Sequence, residues 1–449
     1  MINTQPPASA RRITLWTAIA IVVANMVGTG VFTSLGFQLL GLTDWVTIMT
    51  LWLVGGLIAI CGALTYAELA THLPASGGEY QYLSRLWHPG LGFISAWVSA
   101  TVGFSAPTAL AAIAMAKYLQ ILIPGLSVQL VASGVVLGLT ILHSISLQIG
   151  SRFQIYFTIA KVLMMVLIIG LAIVFAPGAA PTIGLHEVLG QISSNNFATS
   201  LVYVSYAYSG WNAATYLAGE IQHPRRNIPI ALLGGTAIVT VLYAAINYSF
   251  MAMAPNEALA GKLEVGTAAI THLFGLDFGL WMSAVIALLL VSTISAMTFA
   301  GPRLLAALGQ DVKGLGWLAR RNSYGLPWVA SLMQLGIALL FIWTGTFDQV
   351  LVFSGGLLCL FTMITTLSVF RLRYMLKRRT LGVPTEVLTG HHFKTWAYPL
   401  PPLIFLALNA YMLVHLGLER PLVVMGSIGL VVLGMSVYVL TAGGKKVGS

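Results

Sequence analysis

The sequence predicts an all-α integral membrane protein with about twelve transmembrane helices, and three observations carry that expectation. Hydrophobic residues make up 58% of the 449 residues and charged residues only 8%, against about 25% charged in an ordinary soluble domain. The apolar residues fall in runs that reach or exceed the ~20 residues needed to cross a bilayer. Finally, the net charge of +10 gathers in alternate connecting segments, as it does in the cytoplasmic loops of membrane proteins. With that cause available, the basic balance gives no ground for nucleic acid as a partner, and the lipid bilayer is the solvent to reason with.

Twelve apolar runs follow one another at 13–40, 45–70, 92–121, 126–147, 153–176, 195–220, 228–253, 278–308, 327–343, 347–371, 397–417 and 421–441. Several are longer than a perpendicular crossing requires, which implies tilt or extension beyond the bilayer. The first follows Arg11 and Arg12 but is too long for a signal-peptide core and precedes no small-residue cleavage site, so it reads as a retained helix. A cell-membrane topology with both termini cytoplasmic places 18 of the 22 Lys and Arg inside: Arg11, Arg12, Arg85, Arg152, Arg225, Arg226, Arg303, Lys313, Arg320, Arg321, Arg371, Arg373, Lys377, Arg378, Arg379, Lys394, Lys445 and Lys446. Lys262 and Arg420 fall outside, while Lys117 and Lys161 lie within helices. The opposite orientation would put nearly all the positive charge outside. None of the longest connections, 72–91 and 309–326 inside and 177–194 and 254–277 outside, holds a soluble domain. The basic stretch 371–394 reads as a solvated loop, in which His391 and His392 are too isolated for a metal. Cys61 and Cys359 fall within spans and imply neither a disulfide framework nor a metal site. They also leave no exposed cysteine for a disulfide-linked partner.

Two spans carry glycine near their middle. Span 1 contains Val27-Gly28-Thr29-Gly30-Val31-Phe32, and span 6 contains Tyr206-Ala207-Tyr208-Ser209-Gly210-Trp211-Asn212. Interrupted helices at matching places in two halves of a chain point to a transporter site. In hydrocarbon every backbone N–H and C=O must be satisfied, at a cost of several kcal/mol each if unpaired. A break is therefore tolerable where the freed groups line a polar cavity. A zwitterion suits such a cavity: its carboxylate meets amides at a half-helix N-terminus, and its ammonium meets freed carbonyls. The competing reading is that these glycines only permit close helix packing.

These stretches resemble the amino acid–polyamine–organocation transporters, in particular the L-type amino acid transporter branch and its bacterial relatives. The resemblance rests on the glycine–small–glycine break at Gly28–Gly30 and on Tyr66-Ala67-Glu68-Leu69-Ala70 with Leu73-Pro74-Ala75-Ser76-Gly77-Gly78-Glu79-Tyr80. It rests also on Tyr208-Ser209-Gly210-Trp211-Asn212 with Gly219-Glu220 and Pro224-Arg225-Arg226-Asn227-Ile228-Pro229, and on Arg303 with Gly309-Gln310-Asp311. It implies two inverted five-helix repeats, 1–175 and 176–375, with spans 1 and 6 broken, followed by two extra helices in 376–449. The resemblance also implies that the substrate carboxylate meets the amides of Gly28, Thr29 and Gly30. The ammonium would meet carbonyls of Met26, Tyr206, Ala207 and Ser209, with Tyr206 as the gating aromatic. Asn212 corresponds to a polar pocket position that is an acidic proton sensor in the arginine/agmatine antiporters; here it is neutral.

Lys161 lies nine residues past Arg152 in span 5, about 13 Å along the helix, too deep to snorkel easily, and such a charge is functional by default. By resemblance it occupies the place of a sodium ion, pairing with carbonyls near Gly28 and with hydroxyls on span 8, Ser292 or Ser295. It either releases a proton and couples transport to it, or stays charged and replaces sodium. Lys117, near the outer end of span 3, can snorkel. Glu68 and Glu220 sit at inner helix ends, where surface pairing with Arg85, Arg225 or Arg226 is expected. Tyr243 and Asn247 share a face of span 7 and either line the pathway or bond neighbouring helices. The expected function is secondary active transport of amino acids, neutral L-amino acids above all, by sodium-independent exchange or proton symport. A cationic amino acid or polyamine antiporter is the alternative within the class; a channel or receptor is the alternative outside it. No phosphate-binding loop, metal-ligand spacing or nucleophile motif marks an enzyme, and no cofactor is implied.

Overall fold

The computed structural model describes residues 13–145, 148–178, 184–378 and 392–442. Arg11, Arg12, Arg379, His391, Lys445 and Lys446 lie outside them. Ten helices are long and apolar enough to cross a membrane. In chain order they give span 1 (Leu15–Met26 with Gly30–Gln38), span 2 (Trp45–His72), span 3 (Pro89–Val98 with Ser105–Leu122), span 4 (Val128–Ile145) and span 5 (Gln148–Phe175), then span 7 (Pro224–Met253), span 8 (Leu276–Asp311), span 10 (Phe347–Arg378), span 11 (Leu400–Glu419) and span 12 (Pro421–Ala442). Two further elements complete the twelve: span 6, interrupted between Asn195–Tyr208 and Ala213–Tyr216, and the shorter span 9, Trp328–Thr344.

Local chemistry sets several of the ends. Asp44 accepts a hydrogen bond from the Thr47 amide at 3.0 Å to start span 2, and Ser194 does the same for Phe197 at 3.3 Å to start span 6, as N-cap side chains do. Pro89 and Pro224 open spans 3 and 7 at the first turn, where a missing N–H costs nothing. The environment then sorts the spans. Of the most apolar stretch of span 3, 83% is buried, against 6% of span 12, so span 3 runs through the centre and span 12 along the lipid face.

The most extensive helix pairings join span 3 to span 8 and span 2 to span 7, while the second half of span 1 lies along span 6. Each partner lies five spans later in sequence. An odd offset means the partners cross the membrane in opposite directions, which is the relation an inverted repeat requires.

Several connections differ from the sequence reading. The segment 254–277 contains the short helices Asn256–Leu259 and Val265–Phe274. The connection after span 2 carries a helix, Glu79–Leu86, tied back by Gly77 N to the Tyr216 carbonyl at 3.1 Å. The expected solvated loop 371–394 begins as helix through Arg378, and its far end returns to span 2. There His392 stacks on His72 at 4.1 Å between ring centroids.

Glu68 is likewise no surface residue. It is 1% exposed, receives both Arg373 Nε and an Arg373 terminal nitrogen at 2.7 Å, and accepts the Thr395 amide at 2.8 Å. The bidentate pair ties spans 2 and 10 to the strand of chain entering span 11. Removing one partner of a buried pair leaves an uncompensated charge, at about 3–5 kcal/mol when burial is complete; the 28% exposure of Arg373 puts this pair at the lower end. Arg373→Ala is expected to lower the melting temperature of the detergent-solubilised protein by several degrees, and Glu68→Gln added to it to recover part of the loss. An unchanged melting curve for Arg373→Ala would contradict this account.

Candidate functional site

Span 1 stops being helical at Val27, where ψ is 81°. The Gly28 amide turns back on the Met26 carbonyl at 2.8 Å, and helix resumes at Gly30. In span 6 the helix ends at Tyr208 and resumes at Ala213. Gly210 there has φ +98°, a left-handed conformation open to glycine and strained for other residues. Both interruptions expected from the glycines are therefore present. They also touch. A Cβ on Gly210 would lie 2.8 Å from the Asn25 carbonyl oxygen, and one on Gly30 would lie 2.6 Å from Ala207 Cα. Packing and unwinding, the two competing explanations for these glycines, are both satisfied at once.

A cavity of about 840 Å³ opens between the breaks, within the range of small-molecule sites. Met26, Gly28, Thr29, Gly30, Tyr206, Ala207, Ser209 and Asn212 all line it, as do Lys161 and Ser295; Ser292 does not. Of the three amides expected to be free, that of Gly28 is taken by the Met26 carbonyl; those of Thr29 and Gly30, with Val31 next in line, begin the second half-helix of span 1, and the first amides of a helix have no acceptor inside it. Facing them are the carbonyl ends of the first halves of both spans. The Tyr243 hydroxyl lies 2.5 Å from the Met26 carbonyl and 3.1 Å from that of Ala207. Of the two readings of Tyr243, bonding to neighbouring helices is the one observed; Asn247 bonds the Tyr243 carbonyl at 2.8 Å. Tyr206 O also accepts the Ser209 amide at 3.0 Å. A carbonyl has two lone pairs: those of Met26 are taken by the Gly28 amide and the Tyr243 hydroxyl, whereas Tyr206 O and Ala207 O each meet one donor at the break and keep capacity for a ligand.

Lys161 is 2% exposed. Its Nζ donates to Thr293 Oγ1 at 2.7 Å and lies 3.4 Å from the Val27 carbonyl. It thus joins span 5 to the span 1 break and to span 8, but through Thr293 and not the two serines named from sequence. Ser292 turns to the Leu289 carbonyl at 3.0 Å, and Ser295 Oγ meets His143 Nε2 at 2.8 Å. Successive helix residues point about 100° apart, so a shift of one position exchanges the hydroxyl that faces span 5.

Three features were not read from the sequence. Span 3 holds a π-helical turn, Ser99–Gly103, at the cavity wall, a feature that often marks functional sites. At the end of the bundle away from Leu15, Phe37 stacks between Tyr203 and Phe347, with centroids at 5.7 and 5.9 Å. Tyr203 also donates to Asp348, which pairs with Arg420 at 3.2 Å. At the opposite end the exposed Thr17 and Glu220 line the cavity, whereas no residue of the stack does, so it opens at that end and stops short of the stack. The third feature is Glu79, which reaches the cavity from the helix after span 2. Its Oε1 accepts from Tyr66 Oη at 2.9 Å and from Asn212 Nδ2 at 3.0 Å, and its Oε2 lies 3.5 Å from Ser95 Oγ. Burial pushes its carboxyl up to about 7, against the opposing pull of those three hydrogen bonds.

Two interrupted, oppositely running helices around a midway cavity closed at one end define a membrane transporter of the broken-helix kind. The chain belongs to the amino acid permease family, whose profile matches residues 13–437. It is 26% identical over 426 residues to the serine/threonine exchanger SteT of Bacillus subtilis, covering 92% of each chain. It is 27% identical over 393 residues to the human cystine/glutamate transporter (83% of this chain, 77% of the relative) and 28% identical over 391 residues to the mouse b(0,+)-type amino acid transporter 1 (84% and 78%). The resemblance read from the motifs holds, and the channel and receptor alternatives fall with it.

The contact between breaks leads to an expectation. Gly30→Ala forces its Cβ into Ala207, a strain of about 1–3 kcal/mol that must part the two interruptions. Uptake by this variant in proteoliposomes is expected to fall at least about tenfold, the equivalent of ~1.4 kcal/mol. Gly234→Ala, whose Cβ meets nothing within 4 Å, serves as control. Wild-type uptake by Gly30→Ala would mean that the close approach is dispensable.

Proposed function

We propose that this chain carries amino acids across a cell membrane by alternating access, with the backbone of the two breaks as the binding site. The observation that carries the reading is the meeting of free amides on span 1 with the carbonyl ends of spans 1 and 6 in one cavity. These groups match the two charged ends of an α-amino acid. The chain divides into repeats 1–175 and 176–375 and two further spans in 376–449. With both termini cytoplasmic, the open end of the cavity faces the cytoplasm, and the stack of Tyr203, Phe37 and Phe347 closes the outside.

Lys161 makes transport independent of sodium. A fixed ammonium already holds the Val27 carbonyl and the Thr293 hydroxyl, where a cation would need oxygen ligands. No disulfide-linked partner is part of this reading, since both cysteines are buried. The relatives are named a serine/threonine exchanger in one case and a cystine/glutamate transporter in another, so kinship alone leaves the side chain open. The apolar part of the lining, Phe104, Pro107, Ala296 and Leu358, supports neutral amino acids. Glu79 is the feature that favours the cationic alternative. Its carboxylate already accepts hydrogen bonds from Tyr66 and Asn212, which argues against it.

Counterflow in proteoliposomes tests the reading, with labelled L-serine, L-leucine, L-glutamate and L-arginine each offered against internal unlabelled amino acid. Saturable, trans-stimulated uptake of the neutral pair is expected. Uptake that neither saturates nor responds to internal substrate would refute transport, and preference for arginine would refute the substrate class. Lys161→Ala is expected to cut uptake at least about tenfold (~1.4 kcal/mol), because the Val27 carbonyl and Thr293 lose their shared donor. Undiminished uptake in that variant would remove the role given to the ammonium.

A further inference from the structure

Glu79 is placed as no other acid of the described residues is. It sits on the short helix Glu79–Leu86, is 3% exposed, and faces the cavity. Its three polar contacts come from three different spans: Tyr66 on span 2, Ser95 on span 3, and Asn212 in the break of span 6. None of these is a cation. The ion pairs Glu68–Arg373 and Asp348–Arg420 lie elsewhere. The other groups around it are phenols: Tyr82 on its own helix and Tyr216 at the end of span 6. On the same helix Tyr80 turns away to Asp311 of span 8 at 2.8 Å. Arg371 of span 10 meets the helix at its far end, on the Leu86 carbonyl and over the Trp87 ring. A buried acid whose neighbours are all neutral is satisfied in either charge state.

The two oxygens are not equivalent. Oε1 has two donors within 3.0 Å, whereas Oε2 has only the Ser95 hydroxyl at 3.5 Å. A proton on Oε2 displaces no short hydrogen bond and can point to Ser95 Oγ, a hydroxyl that donates or accepts. The charged form is held by the Tyr66, Ser95 and Asn212 donors, and by what water the open cavity admits. An amino acid entering the cavity expels that water, and desolvation favours the neutral acid.

We infer that Glu79 is the proton-binding site of transport, taking a proton onto Oε2 when the cavity fills and returning it to water when the cavity empties. This deepens the transport reading and rests on it. The proton enters from the water on the side where the amino acid enters and leaves on the side where the amino acid leaves, so the two move in the same direction. Linkage makes the effect reciprocal: if substrate promotes protonation, acid tightens substrate binding by the same factor. The resting carboxyl, pushed up to about 7 by burial, titrates where such coupling has effect.

The experiment uses the intact protein in proteoliposomes, wild type beside Glu79→Gln and Glu79→Asp, with whichever of serine, leucine, glutamate or arginine shows counterflow. The half-saturating concentration is measured from about pH 6 to about pH 8, over which the protonated fraction of a group titrating near 7 falls about tenfold, from ~0.91 to ~0.09. A trapped pH dye reads proton movement during net uptake. For wild type we expect half-saturation to rise several-fold across this range and acidification of the lumen to accompany uptake; alkalinisation would overturn the inference. Glu79→Gln is expected to flatten the profile and abolish the dye signal, whereas Glu79→Asp keeps a slope with a displaced midpoint. A wild-type pH profile in Glu79→Gln, or no proton movement with wild-type uptake, overturns the inference and leaves transport standing. Selective loss of arginine exchange with the pH profile intact also overturns it and makes Glu79 a receptor for a cationic side chain. Absence of counterflow in wild type at every pH sinks the transport reading itself. Should Glu79→Gln fail to fold, the wild-type dye signal and the Glu79→Asp midpoint still decide.

Discussion

Backbone polar groups cannot be left unpaired inside a membrane, and the centre of this molecule is arranged around that constraint. Spans 1 and 6 each give up hydrogen bonds midway, and each freed group carries a cost of several kcal/mol unless it finds a partner. The neighbours supply partners from three directions. Tyr243 brings one hydroxyl within reach of two carbonyls on different spans, Lys161 reaches a third, and the Gly28 and Ser209 amides fold back on their own chains. What remains unpaired faces the cavity. The binding surface is the part of the deficit that the protein does not fill.

The close contact of the breaks explains why these groups form one site. With Gly30 against Ala207 and Gly210 against Asn25, the amide end of one span and the carbonyl ends of both stand on facing walls. Tyr243 and Lys161 brace this junction from outside, one from span 7 and the other from span 5. Bracing of this kind couples span 1 to spans 5, 7 and 8, so that movement of its first half must be answered by all three.

The twelve spans were legible because hydrophobic run length is a one-dimensional signal, and both breaks were legible because glycine at mid-span is. The signals that failed all depend on distance. Glu68 and Arg373 are 305 positions apart, and nothing local distinguishes their pair from an exposed one. Thr293 replaced Ser292 and Ser295 as the partner of Lys161 because the rotation of span 8 about its axis is set by packing. Glu79 was quoted within the loop Ser76-Gly77-Gly78-Glu79-Tyr80, yet its chemistry rests on that loop docking under span 6, through Gly77 to Tyr216 and through Ser76 Oγ to the Gly219 amide at 3.2 Å. The helix Val265–Phe274, by contrast, is an apolar run that the sequence shows and that the reading passed over as loop.

Recognition through main-chain atoms has an evolutionary corollary. Replacing Met26, Ala207 or Ser209 by another residue alters a side chain but leaves its carbonyl where the fold puts it, so the grip on the common core of a substrate tolerates drift. Phe104, Pro107, Ala296 and Leu358 enjoy no such protection, since under the proposed reading each presents its side chain to the variable part of the cargo. A lineage built on this plan can retune its selectivity by a few substitutions in spans 3, 8 and 10 while the machinery that holds and releases the ligand is inherited intact.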